Sequence, residues 1–157
     1  MKRITLAFCA LALTSALISA CSTGSGVSNI PHIVLTAMSA DSIVAGADTL
    51  YIQFSIIDGD GDIGATTTDT SSAIYFEDSR FDTGYFENQF PIVDPSVEIS
   101  SKGLQGTCTF APFPPPIPRS DTNHAKHGDT LYYRIFITDR AKHHSDTITT
   151  PQVIVRP

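Results

Sequence analysis

Lysine and arginine are scarce in this chain, ten against sixteen aspartates and glutamates in 157 residues, a net charge of −6 with histidine neutral. Phosphate recognition needs clustered cations, so nucleic acid and anionic lipid headgroups are not expected as partners. Catalytic signatures are missing as well: there is no glycine–serine nucleophile elbow, no HExxH, and no phosphate-cradling glycine loop opening a helix. Glu77 and Asp78 are adjacent carboxylates in a strand-like stretch, and strand neighbours point to opposite faces, which keeps them from working as a glycosidase pair. The expectation is a protein that is not an enzyme. Helical periodicity is almost absent, and no apolar run comfortably spans a hydrocarbon core of about 30 Å.

What is present begins at the N-terminus. Lys2 and Arg3 precede an apolar run over residues 4–18, followed by Ser19, Ala20 and Cys21. This is the layout of a secretory signal. Ile18-Ser19-Ala20-Cys21 resembles the bacterial lipobox. The resemblance implies that residues 1–20 are removed and that Cys21 becomes the lipid-bearing first residue, each buried acyl CH₂ contributing about 0.8 kcal/mol to the membrane anchor. Ser22 resembles the sorting default for the outer membrane of Gram-negative cells, so the expected location is the cell envelope, lipid-anchored at that membrane. The remaining 137 residues suit one domain with a real core. They carry eight basic against sixteen acidic residues, a charge of −8 that fits a cation or a neutral partner.

Cysteine is equally sparse. Cys9 leaves with the signal and Cys21 goes to lipid, so Cys108 is alone in the folded part and no internal disulfide is expected. The alternation Thr107-Cys108-Thr109-Phe110 makes Cys108 a small core-facing strand residue rather than a nucleophile.

Residues 22–29 are mostly Ser, Thr and Gly, so residues 21–31 form a lipidated cysteine and flexible tether, and residues 32–157 form the domain. Within it, residues 49–57 place Leu50, Ile52, Phe54 and Ile56 on one face. Residues 130–138 place Leu131, Tyr133, Ile135 and Ile137 inward, with Tyr132, Arg134 and Thr138 outward. Such period-two alternation marks half-buried antiparallel strands. Shorter strands are expected at 32–37, 73–77, 106–110 and 146–156, the last bent at Pro151. The two long strands share an opening, Gly-Ala-Asp-Thr-Leu-Tyr at 46–51 against His-Gly-Asp-Thr-Leu-Tyr at 127–132. Each also ends in an aspartate, Asp58 and Asp139. Read as equivalent elements of two facing sheets, they run the same way and end at one pole. The irregular, aromatic residues 81–104 and the proline-rich residues 112–118 read as an edge-covering crossover, with a proline-rich ligand as the alternative.

The fold class expected is all-β, a single immunoglobulin-like antiparallel β-sandwich. Ile137-Thr138-Asp139-Arg140-Ala141-Lys142-His143-His144-Ser145 resembles the F–G corner of fibronectin-III-like bacterial modules, where Asp-Arg-Ala-Gly closes a strand; Lys142 stands in the glycine's place, which predicts a different turn. Residues 32–157 thus resemble the small Ig-like lipoproteins of Gram-negative bacteria. That likeness implies envelope attachment and no known chemistry.

Asp58-Gly59-Asp60-Gly61-Asp62-Ile63-Gly64 carries the sharpest chemical signal. Alternate carboxylates on a glycine-rich loop can turn several oxygens onto one hard cation, and Ca²⁺ takes six to eight. The loop partly resembles an EF-hand or dockerin loop, with Asp69 at the twelfth position, although its glycine comes one residue late and its flanks read as strands. The expected metal ligands are Asp58, Asp60, Asp62, Asp69 and, through the shared pole, Asp139. The competing reading pairs Asp58 and Asp60 with Arg140 and Lys142. His124, His127, His143 and His144 lack further ligands at zinc-like spacing and read as solvated side chains. The functional expectation is a lipid-anchored envelope module that binds glycan or protein or serves structurally, with an accessory or degenerate hydrolase domain as the alternative.

Overall fold

The computed structural model describes residues 26–81, 84–91, 103–113 and 115–157. The signal segment, Cys21 and residues 92–102 lie outside them. No helix among the described residues is long and apolar enough to cross a membrane.

Apolar alternation shapes the fold. Leu50, Ile52, Phe54 and Ile56 are buried, as are Leu131, Tyr133, Ile135 and Ile137. All but Leu50, which precedes the first of them, lie along β3 (Ile52–Asp58), β7 (Asp129–Leu131) and β8 (Tyr133–Thr138). The other strands are β1 (His32–Met38), β2 (Ser42–Val44), β4 (Ala73–Asp78), β5 (Phe86–Gln89), β6 (Leu104–Phe110), β9 (Ile148–Thr149) and β10 (Val153–Arg156). One antiparallel sheet has the order β1-β3-β6 and another the order β5-β4-β8-β9. A third, β2-β10-β7, pairs β10 antiparallel to β7 and parallel to β2. The first two sheets share a core in which Phe110 of β6 lies 6.0 Å from both Phe54 and Phe76, ring centre to ring centre. The chain is all-β in character, with antiparallel pairing dominant.

Several details depart from the sequence expectations. The strand read over 130–138 is two strands. Ser79 exchanges hydrogen bonds with Tyr132, its N–H donating to the Tyr132 carbonyl and its Oγ accepting from the Tyr132 N–H, and the chain passes from one sheet to another there. Thr138, expected outward, is 3 % exposed because the bridge to His144 and the Ser72 side chain cover it. One short helix, α1 (Thr122–His127), is present, capped by the Asp121 side chain, and none of its residues is buried. Cys108 packs partly buried against the core, and burial pushes its thiol up to about 11, far from a reactive thiolate. Phe90 and Phe86 of the aromatic stretch join the core while Phe81 and Tyr85 stay exposed. The proline-rich segment is tied down by Arg80, whose Nη1 donates to the Ile117 carbonyl.

Candidate cation site

The period of two sets up the site. Ile52, Phe54 and Ile56 face the core along β3, so the next inward position is Asp58; Ile135 and Ile137 face it along β8, so the next is Asp139. Both aspartates are 0 % exposed. Of two strands in different sheets, β3 thus ends on a buried carboxylate and β8 is followed directly by one, and the loops beyond bring in the rest. Gly61, at φ 70°, reverses the chain in a conformation costly for other residues. This reversal lets the Asp62 N–H donate to Asp58 Oδ2 at 2.9 Å. The second corner is bonded to the first: the Ala141 N–H donates to Asp62 Oδ2 at 2.9 Å and the Arg140 N–H to the Asp62 carbonyl at 3.3 Å.

Asp58, Asp60, Asp62 and Asp139 each offer one carboxylate oxygen to a group in which all lie within 4.8 Å of one another. A cation with ligand distances of about 2.3–2.6 Å places opposite ligands about 5 Å apart, so this group is of a size to hold a metal ion. Two oxygens give the cluster its chemical character. Asp58 Oδ1 and Asp62 Oδ1 are buried and have no hydrogen-bond partner. A buried unsatisfied carboxylate oxygen is costly, and a hard cation relieves that cost directly.

Asp69, expected as a fifth ligand, is not in the group. Its Oδ1 accepts from the Ser71 N–H at 2.9 Å, and its backbone closes a turn with Thr66. The helical loop that suggested position twelve does not form, because β4 begins at Ala73 and the chain turns separately first. The charge-pairing alternative is also not what the structure holds. Arg140 Nη1 donates to the carbonyls of Gly64 and Ile63, and Lys142 Nζ to the carbonyl of Ser71. Among the described residues no lysine or arginine forms an ion pair with the four carboxylates. Lys142 is itself a departure from expectation: at φ 72° it keeps the left-handed conformation natural to the glycine it replaces.

Sequence reasoning missed His143, whose Nδ1 lies 2.8 Å from Asp139 Oδ2 while its N–H donates to Asp139 Oδ1 at 2.7 Å. The signal available was the spacing of four residues on a tight corner. Two of the other histidines are also engaged: His124 contacts Asp121 and Arg119, and His144 stacks on Phe136. Missed too was the Ser72 clamp, in which Ser72 Oγ accepts from the Gly64 N–H and donates to the Thr138 carbonyl. Residues 26–31, assigned to a flexible tether, lie against the loop, with the Gly59 N–H donating to the Ser28 carbonyl at 2.8 Å.

The electrostatics agree with the geometry. Burial, then the charges of Asp60 and Asp62, push Asp58 up to about 6, and Asp62 is raised by burial and by Asp139. His143 is raised by its hydrogen bond to Asp139. In each case the folded group binds its proton more tightly than the unfolded one, so the stabilisation is present at acid pH and is lost as pH rises. For Asp58 the window runs from about 4 to about 6. The protein in EDTA is therefore expected to melt several degrees higher at pH 5 than at pH 7.5. A calorimetric melt that rises steadily from pH 5 to 7.5 would contradict this electrostatic account.

No protein-family model matches the chain, and no curated protein or solved structure is significantly similar to it.

Proposed function

We propose that this protein is a lipid-anchored module of the cell envelope whose two corner loops are held by one Ca²⁺ ion on Asp58, Asp60, Asp62 and Asp139. It acts by binding glycan or protein, or structurally, and not as an enzyme. The observation that carries the cation reading is the pair of buried, unpartnered oxygens, Asp58 Oδ1 and Asp62 Oδ1, inside a four-carboxylate group. All four donors are hard oxygens, which favours Ca²⁺ over softer transition metals. Extracellular Ca²⁺ sites built on such oxygens bind with dissociation constants of about 10⁻⁴–10⁻³ M.

An immunoglobulin-like sandwich is the finer fold reading. Supporting it, β1, β3 and β6 correspond in order to strands A, B and E of one sheet, and β4, β8 and β9 to C, F and G of the other, with β5 as an added edge. The binding role draws support from an aromatic ladder on the outer face of β4 and β8. Tyr75 stacks on Phe136 at 4.9 Å, and Tyr85 and His144 flank Phe136 at 4.8 and 5.1 Å. Partly exposed rings of this kind offer large contact area at low entropic cost. Support for the lipid anchor is the resemblance of residues 18–21 to the lipobox, with Cys21 as the acceptor.

Two measurements test the proposal. Calcium titration by calorimetry on the metal-free protein is expected to show one ion per chain, and absence of binding heat together with an unmoved melt would overturn the cation site. Intact mass of the membrane-extracted protein is expected to show acyl groups on Cys21; an unmodified cysteine would remove the anchor.

A further inference from the structure

The cation loop does not end at its carboxylates. Gly59, between Asp58 and Asp60, donates its N–H to the Ser28 carbonyl at 2.8 Å. A Cβ built on Gly59 would meet the carbonyl oxygens of Ser28 and Val27 at 2.6 Å each and Ser28 C at 2.8 Å. The backbone of residues 27 and 28 therefore rests directly on the loop, at a distance only glycine permits. Ser28 Oγ accepts from the Ile30 N–H, which closes the segment on itself, and Pro31 is buried before β1 begins. The other flank is as close: a Cβ on Gly103 would meet the Asp58 carbonyl at 2.2 Å.

From this juxtaposition we infer that Ca²⁺ at Asp58, Asp60, Asp62 and Asp139 controls the docking of the N-terminal segment, residues 26–31, so that the cation sets how far the domain stands from its membrane anchor. The inference rests on the cation site proposed above. Without a cation, four carboxylates in one small group repel one another, and the peptide joining Asp58 to Asp60 is where the loop relaxes. That peptide carries the only backbone bond from the loop to Ser28 among the described residues. Bound cation draws the carboxylates together, fixes Gly59 and presents its N–H to Ser28; loss of the cation releases the segment. Six extended residues give up to about 20 Å of additional reach. By linkage, a docked segment must strengthen cation binding by the same factor.

The test is elastase cleavage after Val27 in the full-length protein, followed by mass spectrometry in EDTA and in CaCl₂, alongside Gly59→Ala. Position 59 does not have a positive φ, and the atoms an added methyl would strike belong to residues 27 and 28, so this substitution displaces the segment and spares the carboxylates. In the wild type, Ca²⁺ is expected to slow cleavage at least tenfold. In Gly59→Ala, Ca²⁺ still binds, and cleavage is fast in both conditions. Deleting residues 22–28 provides a second measurement, with Ca²⁺ affinity falling by the factor by which Ca²⁺ slows wild-type cleavage. If Ca²⁺ binds the wild type and leaves cleavage unchanged, or if Gly59→Ala responds like the wild type, the coupling is wrong and the cation site stands. If Ca²⁺ does not bind the wild type, the cation site fails and takes the coupling with it.

Discussion

Arg80→Ala is expected to cost the fold about 3–5 kcal/mol, the usual loss when one partner of a buried charge pair is removed. The Arg80 side chain is 4 % exposed. Its guanidinium holds Asp78 through Nη2 at 2.6 Å and Nε at 2.9 Å, reaches Asp129 Oδ2 at 3.3 Å, and stands 5.1 Å from the centre of the Phe81 ring. Truncation leaves Asp78 charged, buried and without its fork of donors, and frees the Ile117 carbonyl that anchors the proline-rich crossover. Asp129 fares better, since Arg119 also binds it through Nε at 3.0 Å. A domain of this size has a total stability of about 5–15 kcal/mol, so the variant sits near the edge of folding at 37 °C. Its urea midpoint is expected to fall by about 2 M. Arg80→Lys keeps the charge and loses the planar fork, so it should fall between the two. A loss below about 1 kcal/mol for Arg80→Ala would place this network among solvent-screened surface pairs and refute its structural role.

The same network sets the acid limit of the fold. Burial pushes Asp129 up, but hydrogen bonds from Arg119 and the Thr130 N–H outweigh it and hold the carboxyl down at about 2. A depressed folded value means stabilisation that is present above the unfolded value near 4 and lost as pH falls toward 2. Asp58 works in the opposite sense over pH 4–6. Between them, these groups place the stability maximum of the metal-free protein in mildly acid solution.

The regularity that made β3 and β8 legible was the burial of every second residue over a long stretch, and it extended one position further to Asp58 and Asp139. Those two aspartates are inward residues like the isoleucines before them, which is why the site could be anticipated at one pole. The division at Tyr132 was not legible, because Leu131 and Tyr133 are buried on both sides of it and the alternation continues unbroken; the hydrogen bonds to Ser79 and the change of partner strand from β10 to β4 mark the change of sheet. Helix α1 buries no residue, so it has no apolar stripe to find, and its sequence signals are confined to its ends, Asp121 at the N-cap, Gly128 at the C-cap and basic residues in the last turn. β2 is three residues long, too short for any period to register. Asp69 failed for another reason: its position came from the geometry of a helical loop, and a turn that closes locally through Thr66 overrides that register. The basic residues were placed at the correct corner, yet Arg140 and Lys142 satisfy backbone carbonyls. Sequence gives the neighbourhood of a long side chain; the partner depends on which oxygens the turn leaves facing it.

The cation reading makes its largest claim at Asp58, where one substitution should have opposite effects in two solutions. Asp58→Asn keeps an oxygen to accept the Asp62 N–H, now bonded to Oδ2, and puts an amide donor where the unpartnered Oδ1 faces neighbouring carboxylates. In EDTA at pH 7 it removes one buried charge from a repelling group. A carboxyl that burial and its neighbours push up to about 6 corresponds to a gain on the order of 2 kcal/mol, allowing for solvent screening. In Ca²⁺ at about 100 times its dissociation constant, the wild type gains about 2.7 kcal/mol, while the variant has lost a central ligand and gains little. The two proteins should therefore exchange order: the variant melts several degrees higher in EDTA, and the wild type overtakes it in calcium. A charge-paired turn gives no such crossing, since loss of the acid would weaken it in both solutions. Differential scanning calorimetry of the two proteins with EDTA and with CaCl₂ decides the matter. A variant less stable than the wild type in EDTA would show that the carboxylates are satisfied without a metal, and the loop would then be a turn and not a site.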